Sequence, residues 1–420
     1  MKLTRSSEIV PDTDVTVAGW AHELRDLGGI AFLLLRDRDG IMQVTLPKKK
    51  VPPHLIERVR ELSRESVVRV SGLVKSEPKA PQGYEIIPYE IELLNIAASP
   101  LPLDVTGKVR ADLDTRLDAR FMDMRLPSTQ AIFIVRATIL EVIRHFLIAH
   151  DCIEIQTPKM VATATEGGTQ LFPIAYFDRE AFLNQSPQLY KQIMMAAGLE
   201  RVFEIGPIFR AEEHDTRKHL NEVTSIDVEA SFMDDRDVMT LLEELIEHTY
   251  VVVAERCSPQ LQALKVDPSI PSLPFKRITY AEAIALADIP WGDDLDTAAE
   301  KVVGEAIGEH YFIVDWPVEL KPFYVQPHEN LCYAFDLMHP RMELASGARR
   351  IHDYVLLRQQ LAGKGLDPES FAFYLDAFRF GMPPHAGWGL GAERLLVTML
   401  NLENIRESVL FPRDRRRITP

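Results

Sequence analysis

The chain carries 420 residues, 46% apolar and 26% charged, a balance that suits two or three globular domains and excludes a stapled miniprotein or a disordered segment. Its net charge of −15 argues against wholesale wrapping of nucleic acid but leaves room for a local basic face. No run reaches the ~18 consecutive apolar residues of a membrane span, the first residues lead into no apolar signal core, and Cys152, Cys257 and Cys332 stand alone without disulfide or metal spacing. The expectation is a cytoplasmic protein with no membrane association.

Residues 14 to 97 read as a run of short strands. Segments 14–20, 30–36, 41–46, 66–74 and 84–96 are β-rich, Asp39-Gly40 marks a hairpin turn, and Leu55, Val59 and Leu62 share a helical face after Pro52-Pro53. Five strands with a helix after the third predict a small barrel of the OB type, a platform for single-stranded nucleic acid, over residues 1–99. The alternative is a β module that serves assembly alone.

Pro100-Leu101-Pro102 closes this module, and the charged stretch to Arg125 lacks a sustained apolar period, so 100–126 reads as a linker or hinge. The remainder, 127–420, starts with an amphipathic helix over 129–150. It then mixes helices (235–256, 352–363, 391–400) with strands (202–209, 222–232, 311–315) in no regular β-α-β alternation. The class is α+β, an antiparallel sheet flanked by helices. Neither GxGxxG within a β-α-β unit nor GxxxxGK[ST] occurs, so the two commonest nucleotide cradles are missing.

Four clusters carry chemistry. Between two β-rich runs, Phe209-Arg210-Ala211-Glu212 and His219-Leu220-Asn221-Glu222 bracket a charged hairpin tip that can fold over a phosphate, where the arginine fork gives bidentate contacts. The plain alternative is a solvated tip with surface ion pairs. Gly387-Trp388-Gly389-Leu390-Gly391 allows close approach of a ligand or a second backbone, and Glu393-Arg394 then opens an apolar helix. Asp336 and Glu343 supply the hard oxygens that Mg²⁺ prefers when it also holds phosphates. On one strand, however, Ser346 and Arg350 point away from Glu343 unless a bulge intervenes. Last, Glu166-Gly167-Gly168 makes a hinge-capable loop, while Gln188 and Lys191 share a face of a helix beginning at Pro187 and, with Arg350, would suit an acidic side chain.

At these residues the chain resembles the class II aminoacyl-tRNA synthetases, and within them the archaeal-type aspartyl-tRNA synthetases, over essentially its whole length. The Arg210 hairpin resembles motif 2 and Gly387 to Arg394 resembles motif 3. The first long helix, leading to Ile155-Gln156-Thr157-Pro158, resembles the dimer-forming motif 1. The resemblance implies an ATP- and Mg²⁺-dependent homodimeric ligase that esterifies tRNA with L-aspartate through aspartyl-adenylate. It places Arg210 and Arg394 at the reaction, and Arg210, Ala211, Glu212, Lys218, His219, Leu220, Glu343, Gly391, Ala392, Glu393 and Arg394 around ATP. Glu166, Gln188, Lys191, Arg210, Ser346 and Arg350 fall on aspartate, and Glu343, Ser346 and Asp336 on the metal. Arg25, Phe32 and Gln43 fall on the anticodon.

Val223 stands where many relatives place a phenylalanine against adenine. His22 and Pro81 match the subgroup that charges both tRNA(Asp) and tRNA(Asn). Strict tRNA(Asp) specificity remains an alternative, as do an asparagine-synthetase-like paralogue and an RNA-binding regulator; the barrel argues against the paralogue, and intact Arg210, Arg394 and Glu343 against the regulator.

Overall fold

A computed structural model describes residues 3–162, 171–212 and 217–420, which divide into two compact units, Met1–Leu126 and Pro127–Pro420. In the first, β1 (Asp14–Asp26), β2 (Ile30–Arg36), β3 (Ile41–Pro47), β4 (Val67–Ser76) and β5 (Tyr84–Asn95) close a barrel in the order β1-β2-β3-β5-β4, with the helix Pro53–Arg60 after the third strand. The alternation read in the sequence is the reason. Val17, Leu33, Leu35, Met42, Val44, Val68, Val70 and Ile86 are fully buried at inward positions. Their neighbours in the chain stand on the outer face.

One irregularity interrupts that pattern. Between β1 and β2 the register runs Ala21↔Leu35 and then Glu23↔Leu34, so His22 is the extra residue of a β-bulge. Opposite it, Glu65 takes a left-handed backbone (φ 67°), uncommon outside glycine. Its N–H donates to Ala21 O at 2.8 Å, and its carboxylate accepts from Arg36 (2.6 Å) and Arg125 (2.7 Å).

The segment read as a linker has structure of its own. Helices Leu113–Asp118 and Arg120–Asp123 form, and Leu103, Val105, Ala119 and Met122 build a small apolar cluster. Tertiary packing overrides weak periodicity here, because Arg120 and Asp123, both buried, neutralise each other at 2.6 Å.

In the second unit the long sheet combines β6 (Ile153–Glu154), β10 (Arg201–Phe209), β11 (Glu222–Ser231), β12 (Lys276–Thr279), β13 (Tyr311–Pro317), β15 (Leu331–His339), β16 (Met342–Arg349) and β17 (His385–Gly391). Their order is β12-β13-β15-β16-β17-β11-β10-β6, and β14 (Pro327–His328) pairs with β15. A small sheet of β7 (Met160–Val161), β8 (Pro173–Tyr176) and β9 (Arg179–Leu183) stands apart. The long sheet is antiparallel through its centre and parallel at the β12–β13 and β6–β10 pairs, as expected of an α+β domain.

Helices Pro127–Ala149, Asp235–Arg256 and Ala392–Met399 cover one face, where Ile226, Val228, Trp388 and Leu390 are buried. Asp227, Glu229, Gly387, Gly389 and Gly391, at the alternate positions, face the other way. That opposite face holds the site.

The acid dependence of the first unit follows from Glu65. Burial opposes its charge, but the guanidinium groups of Arg36 and Arg125 outweigh burial and hold its carboxyl down at about 2 against an ordinary 4.5. A depressed folded-state pKa contributes stability that is complete above about pH 4.5 and is lost as pH falls through about 2. Calorimetry should therefore find Glu65→Gln melting below wild type at pH 7, with the gap narrowed at pH 3. An equal gap at both would contradict the account.

Candidate active site

A cleft of about 650 Å³ opens on this face of the sheet. Strand register explains its layout. Asp336 pairs with Ser346, Ser346 with Gly389, and Gly389 with Asp227, so one row of positions crosses four strands. The next row joins Ala348, Gly387 and Glu229.

Beneath one end of the cleft lies a buried ionic quartet. Arg350 donates from Nε to Glu229 Oε1 (2.9 Å) and from Nη2 to Gly387 O (2.9 Å). Lys191 Nζ lies 3.0 Å from Asp227 Oδ1 and 3.4 Å from Glu229 Oε2, and it donates to Trp388 O at 3.0 Å. None of the four is more than 5% exposed, and their formal charges sum to zero. Burial works against the charge on Glu229, but Arg350 and Lys191 outweigh it and hold the carboxyl below its ordinary range.

Glycine at 387 is a requirement of this arrangement. A Cβ there would lie 2.2 Å from Val228 O and 2.3 Å from Glu229 Oε2, so any side chain would displace the carboxylate. Arg350 lines the cleft, and its Nη1 has no hydrogen-bond partner among the described residues. It is a donor positioned for a carboxylate.

Gln188 is oriented from behind. His385, fully buried, donates from Nδ1 to Pro383 O (2.8 Å), which leaves Nε2 to accept from Gln192 Nε2 (3.0 Å). Gln192 Oε1 in turn accepts from Gln188 Nε2 (2.9 Å) and from the Tyr374 hydroxyl (3.0 Å), so Gln188 Oε1 faces Arg350. Burial pushes the His385 imidazole down to about 4, so the relay is neutral near pH 7.

At the other end, Arg210, Glu212, Lys218, His219, Leu220, Val223, Gly391, Glu393 and Arg394 line the cleft together. Arg394 Nη1 donates to Glu343 O (3.1 Å) and lies 3.4 Å from its carboxylate. Burial, then the cations around it, lower the His219 pKa. Glu393 faces inward as well: it accepts from Arg136 (2.7 Å) and from Thr224 N (3.0 Å), tying the first long helix to β11. Ala211 and Ala392 stand beside the cleft in sequence without lining it. Glu166 lies outside the described residues.

A bulge brings the acidic group together. Leu337 pairs with Ala345 but Met338 pairs with Glu343, so Leu344 is extra, and Glu343 reaches the same cleft as Ser346 although three positions separate them. Asp336 Oδ2 accepts from Lys321 (2.6 Å), whereas Oδ1 is buried with no hydrogen-bond partner among the described residues. Burial pushes Asp336 up, and Glu343 adds to the effect. A divalent cation would satisfy the orphaned oxygen, and the set of two carboxylates and a hydroxyl fits Mg²⁺ that takes its other ligands from phosphates. No cluster of three His, Cys, Asp or Glu able to hold a metal occurs among the described residues.

Sequence reading missed Asp227, Glu229 and Lys321. Asp227 and Glu229 alternate on a strand that was legible, but their partners lie on strands and helices whose pairing was not.

In the barrel, Arg25 and Phe32 sit directly across from each other on β1 and β2, and Phe32 pairs with Thr45. Gln43, two residues before Thr45 on β3, shares that outward face, where it donates to Thr45 Oγ1 (3.2 Å). Pro81 opens the turn Pro81–Gly83 before β5, and neighbouring Gln82 donates to Ile41 O at 3.4 Å.

The family model described as tRNA synthetases class II (D, K and N) matches residues 112–415, and the OB-fold nucleic acid binding domain matches 15–94. The chain belongs to the class II tRNA synthetases of the D, K and N group. It is 60% identical to an aspartate–tRNA(Asp/Asn) ligase of Methanoculleus marisnigri, with 98% of each chain covered, and 58% identical to one of Archaeoglobus fulgidus, with 99% of each covered. Asparaginyl-tRNA synthetase from Pyrococcus horikoshii, solved with asparaginyl-adenylate, superposes with a TM-score of 0.95 at 33% identity and full coverage of both chains. An aspartyl-tRNA synthetase from Entamoeba histolytica gives 0.88 at 30% identity, covering 100% of this chain and 93% of that one.

Two substitutions test the quartet. Arg350→Leu leaves Glu229 buried without its bidentate partner, a loss of about 3 to 5 kcal/mol. Aspartate-dependent pyrophosphate exchange should fall at least about a hundredfold while ATP still binds. Gly387→Ala should produce the same loss, accompanied by a lower melting temperature. Near-normal exchange in either variant would remove the quartet from the site.

Proposed function

We propose that the chain is an ATP-dependent ligase that activates L-aspartate as aspartyl-adenylate and transfers it to tRNA(Asp) and tRNA(Asn). The barrel (1–99) would read the anticodon, the 100–126 segment would join it to the rest, and residues 127–420 would carry the chemistry, acting as a homodimer in the cytoplasm. The observation that carries the reading is the quartet: it neutralises two buried cations yet leaves Arg350 Nη1 aimed into the cleft. A side-chain carboxylate completes that site. An asparagine amide would turn its own N–H groups toward cationic donors.

In this reading the α-carboxylate of aspartate attacks the α-phosphate of ATP in line, pyrophosphate leaves, and a terminal hydroxyl of tRNA then displaces AMP. Arg210 holds the α-phosphate and the attacking carboxylate, Glu212 and His219 contact the nucleotide, and Arg394 stacks on adenine and reaches the γ-phosphate. Asp336, Glu343 and Ser346 would hold Mg²⁺, whose chemistry is charge neutralisation on the phosphates. No covalent nucleophile is needed. Burial pushes the Cys152 and Cys332 thiols up to about 11, which leaves them inert at pH 7. Catalysis rests on positioning and on fixed charge. Val223 is too small to stack as a phenylalanine would, so adenine recognition depends on Arg394.

The deciding experiment is aminoacylation with aspartate and with asparagine on separate purified tRNA(Asp) and tRNA(Asn). Aspartate should be esterified to both, with efficiencies within roughly tenfold, or about 1.4 kcal/mol. A preference of several hundredfold for tRNA(Asp) would reduce the function to the strict enzyme. Phe32→Ala should separate two assays: tRNA charging falls by the roughly 1 to 3 kcal/mol of one lost stack, while pyrophosphate exchange continues. Parallel losses in both would assign the barrel to folding instead.

A further inference from the structure

His22 occupies the bulge of β1, and the groups around it determine where its proton sits. Arg36 Nη1 points at His22 Nδ1 from 3.1 Å. A guanidinium only donates, so Nδ1 must accept and the imidazole must be neutral with its hydrogen on Nε2. Glu65 Oε1 comes no nearer to the same nitrogen than 3.5 Å, and a nitrogen already accepting from a permanent cation has no proton to offer it. Nε2 has no hydrogen-bond partner among the described residues, and 12% of the side chain remains exposed.

Glu65 secures this arrangement twice. Its carboxylate grips Arg36 through both terminal nitrogens, at 3.2 and 2.6 Å, which aims Nη1 at His22. Its left-handed backbone donates to Ala21 O, and Ala21 N donates to Ser66 O, which pins the strand immediately before the bulge. Strained backbone of this kind persists only where its surroundings hold it. Glu65 and Arg36 are 2% and 7% exposed. Arg36 also pairs in register with Ile41, whose carbonyl accepts from Gln82, so the turn that begins at Pro81 reaches the same end of the outward face.

The third anticodon bases of the two tRNAs are C and U. Their Watson–Crick edges are opposed at position 4, amino against oxo, and at N3, acceptor against donor. They agree at one atom, the O2 acceptor. We infer that Glu65 and Arg36 fix His22 as an Nε2–H donor that reads this shared O2, which makes them positioning residues for the tolerance of both tRNAs. The inference rests on the anticodon reading proposed above and deepens it: a fixed donor accepts either pyrimidine, whereas a group free to switch between donor and acceptor would meet the edges where C and U differ.

The test is binding of anticodon stem-loops to the full chain, which requires no aminoacylation. Loops carrying C or U at the third position are compared with loops carrying 2-thiocytidine or 2-thiouridine, in which sulfur replaces O2 as a poor acceptor, and with 4-thiouridine as the control. Wild type should lose up to about tenfold in affinity for both 2-thio loops, the effect of one hydrogen bond, and little for 4-thiouridine. Glu65→Gln and His22→Ala should bind the unmodified loops more weakly and respond much less to 2-thio substitution. A barrel that is merely destabilised would keep the wild-type response, because the ratio compares two RNAs on one protein. Insensitivity of wild type to 2-thio substitution, full sensitivity in Glu65→Gln, or no stem-loop binding would each overturn the inference. Failure to esterify aspartate would overturn the proposed function but leave the stem-loop pattern to be read.

Discussion

The site depends on two buried cations being neutralised before any substrate arrives. Lys191 and Arg350 lie almost out of reach of solvent, and an unpaired charge in such a place is prohibitively costly. Asp227 and Glu229 remove that cost, and the surrounding sequence is constrained to let them. Gly387 must lack a side chain because the Glu229 carboxylate fills the space where one would begin. Gln192, Tyr374 and His385 must form a neutral relay so that Gln188 presents its oxygen to Arg350. With Nε and Nη2 committed, Arg350 retains donor capacity at Nη1, which is what an acidic ligand requires.

Sheet register extends this order toward the nucleotide end. The row Asp336, Ser346, Gly389 and Asp227 places acidic oxygens and backbone across four strands, and the bulge at Leu344 adds Glu343 to the same cleft. Charge alternates along the way. Lys321 stands on Asp336, and Arg394 stands on Glu343. Under the proposed function, phosphates and a divalent cation entering here would exchange partners with groups already held in place, so little reorganisation would accompany the reaction.

The barrel applies the same device on a smaller scale. There a single buried carboxylate, Glu65, gathers Arg36 and Arg125, and its effect on His22 passes through Arg36 rather than by direct contact. In both units a buried carboxylate sets the hydrogen-bonding character of the side chains around it.

The sequence by itself determined the two-part organisation, the barrel, the α+β class and most of the cleft. These depend on local signals: period-two alternation in the first hundred residues, the charged hairpin at Arg210, and the glycine run ending at Arg394. Where a local rule was ambiguous, at Glu343 and Ser346, the bulge that would reconcile them was a stated condition but could not be located. Tertiary structure alone decided which distant groups share a charge. Nothing local singled out Glu229 within the strand read over 222–232; its role came from Arg350, 121 positions away, and from Gly387 closing on it. The segment from 100 to 126 read as a linker or hinge because its stability comes from the Arg120–Asp123 pair and a few apolar contacts rather than from any period. Periodicity is written in neighbours along the chain, whereas the neutralisation of a buried charge depends on which strands come to lie side by side.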